Sequence, residues 1–152
     1  MTEIVPYTGA DWEGIEKAHD AARMQELRFA GLTDAFLPLS VAAEREGLFE
    51  YTVLVARKDG TAVGFTAFTE DELAWLYVHP DHQGQGIGRR LACAALDRMA
   101  PGEQAVEVLQ GNEPARQLYK SLGFRRERLL HGTMPGNEQF GVSVWQMTRE
   151  EA

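Results

Sequence analysis

The hydropathy pattern of this chain demands an α/β fold, in which helices cover a mixed sheet. Short β-rich runs alternate with amphipathic runs from end to end, with short connections and no repeat or low-complexity tract. Two of the β-rich runs, Thr52 to Arg57 and Thr61 to Phe68, are separated only by Lys58-Asp59-Gly60, an Asp-Gly hairpin signal that pairs them antiparallel. A third, Leu73 to Val78, leads through Gln83-Gly84-Gln85-Gly86-Ile87-Gly88 into the helix-like run Arg89 to Met99, so strand, glycine loop and helix follow one another.

Glu3 to Tyr7 reads as the first strand. Asp11 to about Leu27 reads as a helix with Trp12, Ile15, Ala18 and Ala22 along one side, and Leu39 to Phe49 as a second, joined by Arg28 to Pro38. The hairpin supplies the second and third strands, Leu73 to Val78 the fourth and, after the helix that follows the glycine loop, Ala105 to Leu109 the fifth. Asn112 to Gly123 reads as a short amphipathic helix: Pro114 suits its first turn, Gly123 its C-terminus, and Ala115, Leu118, Tyr119 and Leu122 form one apolar stripe. Phe124 to Leu130 and Val142 to Thr148 are the last strands, with Gly132 to Gly141 as the loop between them. At 152 residues the chain is expected to be a single domain over 1–152. That length buries roughly two-thirds of the unfolded surface.

Composition narrows the function classes. Net charge is -8, with 23 acidic residues against 15 basic, which opposes the electrostatic attraction that nucleic-acid binding needs. Arg125, Arg126 and Arg128 are interrupted by Glu127 and read as a solvated face. The single cysteine, Cys93, lies in the apolar register of a helix and cannot build a disulfide framework or a multi-cysteine metal site. No run approaches the roughly 20 apolar residues of a membrane span, and Met1-Thr2-Glu3-Ile4 lacks a basic-then-apolar signal. A cytoplasmic protein without nucleic-acid or membrane partners is the expectation.

The glycine loop carries the chemistry. Glycines at every second position free the backbone of Cβ atoms, so successive amides can converge on one anion before a helix N-terminus. Spacing rejects the two familiar nucleotide loops: Gly88 is followed by Arg89-Arg90 rather than Lys-Ser/Thr, and Arg89 stands where a dinucleotide fingerprint needs Gly or Ala. His79-Pro80-Asp81-His82 offers two histidines three apart, but Pro80 marks a turn and a third ligand is missing, so no metal is expected.

What remains, Gln83-x-x-Gly86-x-Gly88 after a strand, resembles the acetyl-CoA pyrophosphate loop of the GNAT superfamily of N-acetyltransferases. Asn112-Glu113-Pro114-Ala115-Arg116-Gln117-Leu118-Tyr119-Lys120-Ser121-Leu122-Gly123-Phe124 is similar to a second GNAT pattern: Asn, then Ala, then a Tyr facing the coenzyme sulfur, then Gly-Phe entering the next strand. The likeness spans about residues 52 to 148 and is loose over the first fifty. It implies an α+β arrangement: a mixed, mostly antiparallel central sheet whose fourth and fifth strands splay apart, flanked by about four helices. The pantetheine arm would lie in that gap along Leu76, Tyr77 and Val78, with Gln83, Gly84, Gln85, Gly86, Ile87, Gly88 and Arg89 around the pyrophosphate and Asn112 in the second motif. Acetyl-CoA is the implied co-substrate, without a metal. The implied activity is direct acetyl transfer, in a ternary complex, to the primary amine of a small molecule or peptide. A non-catalytic acyl-CoA sensor or interaction module is the alternative, and a homodimer stays open.

Attack of an unprotonated amine on a thioester sets three tasks: the amine must lose a proton, the carbonyl oxygen needs a donor, and the departing thiolate benefits from a proton. The resemblance assigns the donor to the Val78 amide region and the acid to Tyr119. For the base it points to Glu72, eleven residues before Gln83, an offset similar to that of the fourth-strand glutamate in histone-acetylating members. Glu70 and Asp71 compete, as does a water chain. Strict alternation groups Glu72 with Ala74 and Leu76, and Asp71 with Leu73 and Trp75. The resemblance also gives the acceptor pocket to Arg28–Pro38 and Gly132–Gly141, with Phe29, Phe36, Trp75 and Phe140 as candidates for an aromatic wall and Asp34 and Glu138 as candidate amine anchors, the alternative being core aromatics and solvated acids. His19 and His131 receive no role.

Overall fold

The computed structural model describes residues 1–151. Seven strands, β1 (Thr2–Pro6), β2 (Thr52–Lys58), β3 (Thr61–Phe68), β4 (Glu72–Val78), β5 (Gly102–Leu109), β6 (Arg126–Met134) and β7 (Asn137–Glu151), form one sheet in the order β1-β2-β3-β4-β5-β7-β6. Every neighbouring pair is antiparallel except β4 and β5. Four α-helices cover it: α1 (Trp12–Ala30), α2 (Leu39–Arg45), α3 (Ile87–Arg98) and α4 (Glu113–Ser121). This is the mixed α/β sheet that the pattern demanded, mostly antiparallel as the superfamily likeness implied.

Two apolar layers hold the helices to opposite faces. On one, Ile15 of α1 and Leu39 and Ala42 of α2 pack with Val53, Val55, Phe65 and Trp75. On the other, Ala92, Ala95 and Leu96 of α3 and Tyr119 of α4 pack with Leu54, Leu73, Val106, Phe124 and Met147. Side chains such as Phe65, Phe124 and Leu39 are sealed from solvent, each stabilising the fold by about 1.5–3 kcal/mol. Close backbone approach seats α1: a Cβ on Gly14 would lie 2.5 Å from the Ala62 carbonyl oxygen.

The parallel junction of β4 and β5 is short. It pairs only Glu72 with Ala105 and Leu73 with Val106, after which the strands diverge and leave the β4 edge beyond Leu73 without a strand neighbour on that side. The expected splay is therefore present. Its far side is closed by the turn after β5, where a Cβ on Gly111, at φ +106°, would lie 2.5 Å from the Phe29 carbonyl oxygen at the end of α1.

Three details differ from the sequence reading. A β-bulge at Ala74 shifts the β3–β4 register, pairing Ala67 with Trp75 but Phe68 with Leu73. The extra residue sends Leu73 into the α3 layer and Trp75 into the α1–α2 layer, so strict alternation does not hold there. Helix α2 ends at Arg45 rather than Phe49, because Gly47 turns left-handed at φ +65° and a 3-10 turn over Leu48–Glu50 follows. Gly132–Gly141 is not a loop: β6 and β7 pair Gly132 with Val142 and Thr133 with Gly141, confining the turn to Pro135-Gly136. Cross-strand pairing overrides the weak strand propensity of glycine at these positions.

Candidate active site

The splay opens into a cleft of 410 Å³. Leu73–Tyr77 of β4 and Val106–Leu109 of β5 form its sides, Asn112, Ala115 and Tyr119 of α4 its inner wall, and His19, Arg23 and Glu26 of α1 the wall opposite. The β6–β7 hairpin, from Leu130 to Pro135, closes one end.

The glycine loop stands beyond the end of β4. Gly84 and Gly86 take φ +77° and +80°, a left-handed path that glycine follows without a Cβ penalty, and Gly86 is the N-cap of α3. The first amide of this stretch to find a backbone carbonyl is Arg90, to Gly86 at 3.0 Å; those from Gly84 to Arg89 find none among the described residues. Unused amides at a helix N-terminus present a positive field to an anion. Basic side chains border them: Lys58 Nζ donates to Gln85 Oε1 at 3.0 Å, and Arg89 Nη2 to Ser121 Oγ at 2.6 Å. Gln83 fastens the loop to the strand, its Nε2 donating to the Val78 carbonyl at 3.0 Å and to Gln25 Oε1 at 2.8 Å. Ile87 is buried beneath the loop and anchors α3, while Leu76 and Val78 pack against the same cluster. These residues fit a diphosphate at the loop and an extended arm along β4.

Tyr119 is 4 % exposed and lines the cleft, its ring edge-on to Phe124 at 5.8 Å between centroids. Its helix is set locally: Asn112 Oδ1 accepts from the Ala115 amide, Pro114 lies in the first turn, and Gly123 reverses the chain at φ +100°. Burial, then the nearby Glu26 charge, holds the Tyr119 phenol well above its ordinary range. It therefore stays protonated at neutral pH, as an acid must.

Glu26 is the hub of the opposite wall. Its Oε1 accepts from Tyr77 Oη at 3.1 Å and pairs with Arg23, and its Oε2 accepts from Asn112 Nδ2 at 3.3 Å. Burial, then Glu26, likewise pushes the Tyr77 phenol far up, keeping it a donor. Arg23 also reaches Met134 Sδ at 3.5 Å. Glu46, just past the end of α2, lines both the cleft and an adjoining recess of 330 Å³; burial pushes its carboxyl up to about 7, Glu138 and Glu26 adding to the rise and Arg23 opposing it.

The structure gathers Leu76, Tyr77, Asn112 and Tyr119 on the cleft, and Gln83 to Arg89 beyond the end of β4. Glu72 lies elsewhere: it lines the recess with Glu46, Glu107 and Glu138, where burial, then Glu107 and Asp71, raises its carboxyl. The Ala74 bulge breaks its expected grouping with Leu76. Of the aromatic wall only Trp75 faces the cleft; Phe29 is 47 % exposed, and Phe36 and Phe140 pack on the core beneath the hairpin. Asp34 is exposed, and Glu138 belongs to the recess. Sequence reasoning missed His19, Arg23, Glu26 and Glu46. The first three recur at helical spacing beside the apolar stripe of α1, a polar stripe that marks a face toward a cavity. Among the described residues no cluster of three or more His, Cys, Asp or Glu side chains could hold a metal ion, and no described helix is long and apolar enough to cross a membrane.

Comparison with known proteins agrees with this geometry. The family described as acetyltransferase (GNAT) domain matches residues 49–126, more than half of the chain. N-alpha-acetyltransferase RimI of Mycobacterium tuberculosis is 39% identical over 79 residues, covering 47% of this chain and 50% of that protein. L-amino acid N-acyltransferase MnaT of Escherichia coli is 32% identical over 97 residues, covering 53% and 54%. The chain thus spans about half the length of these curated relatives. Among solved structures, yncA of Salmonella typhimurium with its cofactor acetyl-CoA superposes with a TM-score of 0.69 at 21% identity, covering 99% of this chain and 94% of that one. Glycine loop, splayed strands, second-motif helix and family match converge: the chain belongs to the GNAT superfamily of acetyltransferases.

Proposed function

We propose that this protein is an acetyl-CoA-dependent N-acetyltransferase that moves the acetyl group directly to a primary amine of a small molecule or peptide. One arrangement carries the reading: the unused amides of Gly84–Arg89 stand beyond the end of β4, and the free edge of that strand leads back to the cleft that Tyr119 and the polar wall of α1 share. Acetyl-CoA supplies an activated acyl group as a thioester. The chain supplies the rest. The loop amides, with Lys58, Arg89 and Arg90 nearby, would hold the diphosphate; the β4 edge at Leu76, Tyr77 and Val78 would hydrogen-bond the pantetheine arm as an added strand. A backbone amide near Val78 would polarise the thioester oxygen, and Tyr119 would protonate the leaving sulfur. The names of the relatives, one acting on N-alpha amines and the other on L-amino acids, support an amine acceptor and leave its class open.

The test is free-thiol release from acetyl-CoA across a panel of amino acids, polyamines, aminoglycosides and peptides, with Tyr119→Phe beside the wild type. Turnover with one amine class, slowed about a hundredfold in the variant at unchanged coenzyme affinity, supports the reading. Tight coenzyme binding without turnover on any amine contradicts it and favours an acyl-CoA sensor.

A further inference from the structure

We infer that His19 is the general base that strips the acceptor ammonium, with Asp20 as its positioning residue. The inference rests on the transferase reading above.

His19 is 2 % exposed and lines the cleft from α1. Its Nδ1 lies 2.9 Å from Asp20 Oδ1, and that oxygen also accepts from the Leu39 amide at 2.8 Å, so the carboxylate is itself fixed at the start of α2. Its ring stands edge-on to Tyr77, centroids 4.9 Å apart. A carboxylate on Nδ1 selects the tautomer with its proton there, leaving the lone pair on Nε2. Nε2 makes no hydrogen bond to protein among the described residues, yet the one side-chain nitrogen or oxygen both sealed and unpartnered is His82 Nδ1. The His19 lone pair therefore opens on the cleft. An oriented imidazole, turned by a fixed carboxylate toward the space beside Trp75 and Tyr77, is the arrangement that general-base catalysis requires.

Charged and titratable neighbours suit the role. Asp20, Arg23 and Glu26 of α1 and Tyr77 of β4 surround the ring, with Glu46 beyond α2 and His131 of β6 on the same cleft. Burial lowers the His19 pKa, and Asp20 offsets part of that fall, so the imidazole is neutral and ready to accept at pH 7.

The protons balance as follows. The acceptor ammonium gives one proton to His19 Nε2, and the freed nitrogen lone pair forms the bond to the acetyl carbon. The carbon–sulfur bond breaks, the sulfur leaves with the Tyr119 proton, the second nitrogen proton restores Tyr119, and the imidazolium releases its proton to water. One amide, one thiol and one proton result.

The experiment is kcat/KM against pH for wild type, His19→Gln and Asp20→Asn, using an amine found to turn over, with coenzyme affinity and melting temperature as controls. The base role predicts that His19→Gln loses about a hundredfold at pH 7, and that the deficit shrinks as pH rises toward the amine's own pKa, where free amine no longer needs a base. Asp20→Asn shows a smaller deficit of the same shape, so the prediction survives poor folding of the first variant. A deficit equal at every pH, or none, overturns the base role while wild-type turnover upholds the transferase. Absence of wild-type turnover with any amine overturns both.

Discussion

The glycine loop beyond β4 and the cleft in the splay are built by different means. At the proposed coenzyme end, Gly84 and Gly86 set a left-handed backbone path, and the recognition groups would be the amides from Gly84 to Arg89. At the proposed acceptor end, recognition would fall to side chains, His19, Arg23 and Glu26 on α1, Glu46 beyond α2 and Tyr77 on β4, drawn from segments tens of residues apart. Backbone recognition needs only a local glycine pattern and tolerates most neighbours. Side-chain recognition needs three elements in register. The first is suited to an invariant ligand part such as a diphosphate, the second to a variable one such as an amine.

Substitutions at each end break this comparison in different ways. Gly86→Glu has the largest expected effect. No protein atom lies within 4 Å of a Cβ there, but φ +80° strains any side chain, and the carboxylate adds charge beside amides that would meet phosphates. Coenzyme affinity should fall at least about a hundredfold by calorimetry, a charge-assisted contact being worth about 1.5–3 kcal/mol. An unchanged affinity would remove the loop from the site.

Glu26→Ala attacks the other end. It leaves the Arg23 guanidinium, the Tyr77 hydroxyl and the Asn112 amide without their shared acceptor. Stability should fall by about 3 kcal/mol in urea unfolding, with coenzyme affinity changed little. A variant as stable as wild type would show that the hub does not hold α1 to α4.

Glu46→Gln is the mildest change and sharpens the electrostatics. With its carboxyl raised from 4.5 to about 7, the folded state holds a proton that the unfolded state has released across that interval. The resulting stability is fully present below about pH 4.5 and is lost as pH rises through 7. The variant should melt a few degrees higher than wild type at pH 8 and nearly the same at pH 4.5. Equal melting at pH 8 would place the carboxylate in open solvent.

The same contrast explains what the sequence made legible. The β2–β3 hairpin, the strand–loop–helix around Gly86 and the Asn112–Gly123 helix were readable because each is specified by residues within one short window. The short β4–β5 junction followed from the superfamily likeness rather than from any residue of its own. The Ala74 bulge left no mark, since a single inserted alanine changes register only through pairing with β3. Glu46 was unreadable for a related reason: it stands just past α2 with no pattern of its own, and only packing of α2 over the splay brings it to the cleft, whereas His19 belongs to a polar stripe on α1 whose spacing was legible but whose partners were not. The hairpin from Gly132 to Gly141 read as a loop because its glycines hide a pairing that 15-residue β7 enforces.

The most direct test of a backbone-built coenzyme end is an amide chemical-shift titration of the 15N-labelled protein with acetyl-CoA. The largest shifts and new exchange protection should fall on Gly84 to Arg89 and on Leu76 to Val78, while the amides of His19, Arg23 and Glu26 move far less. Silence at Gly84 to Arg89 during saturable binding would contradict the account, because the coenzyme would then lie somewhere other than the glycine loop.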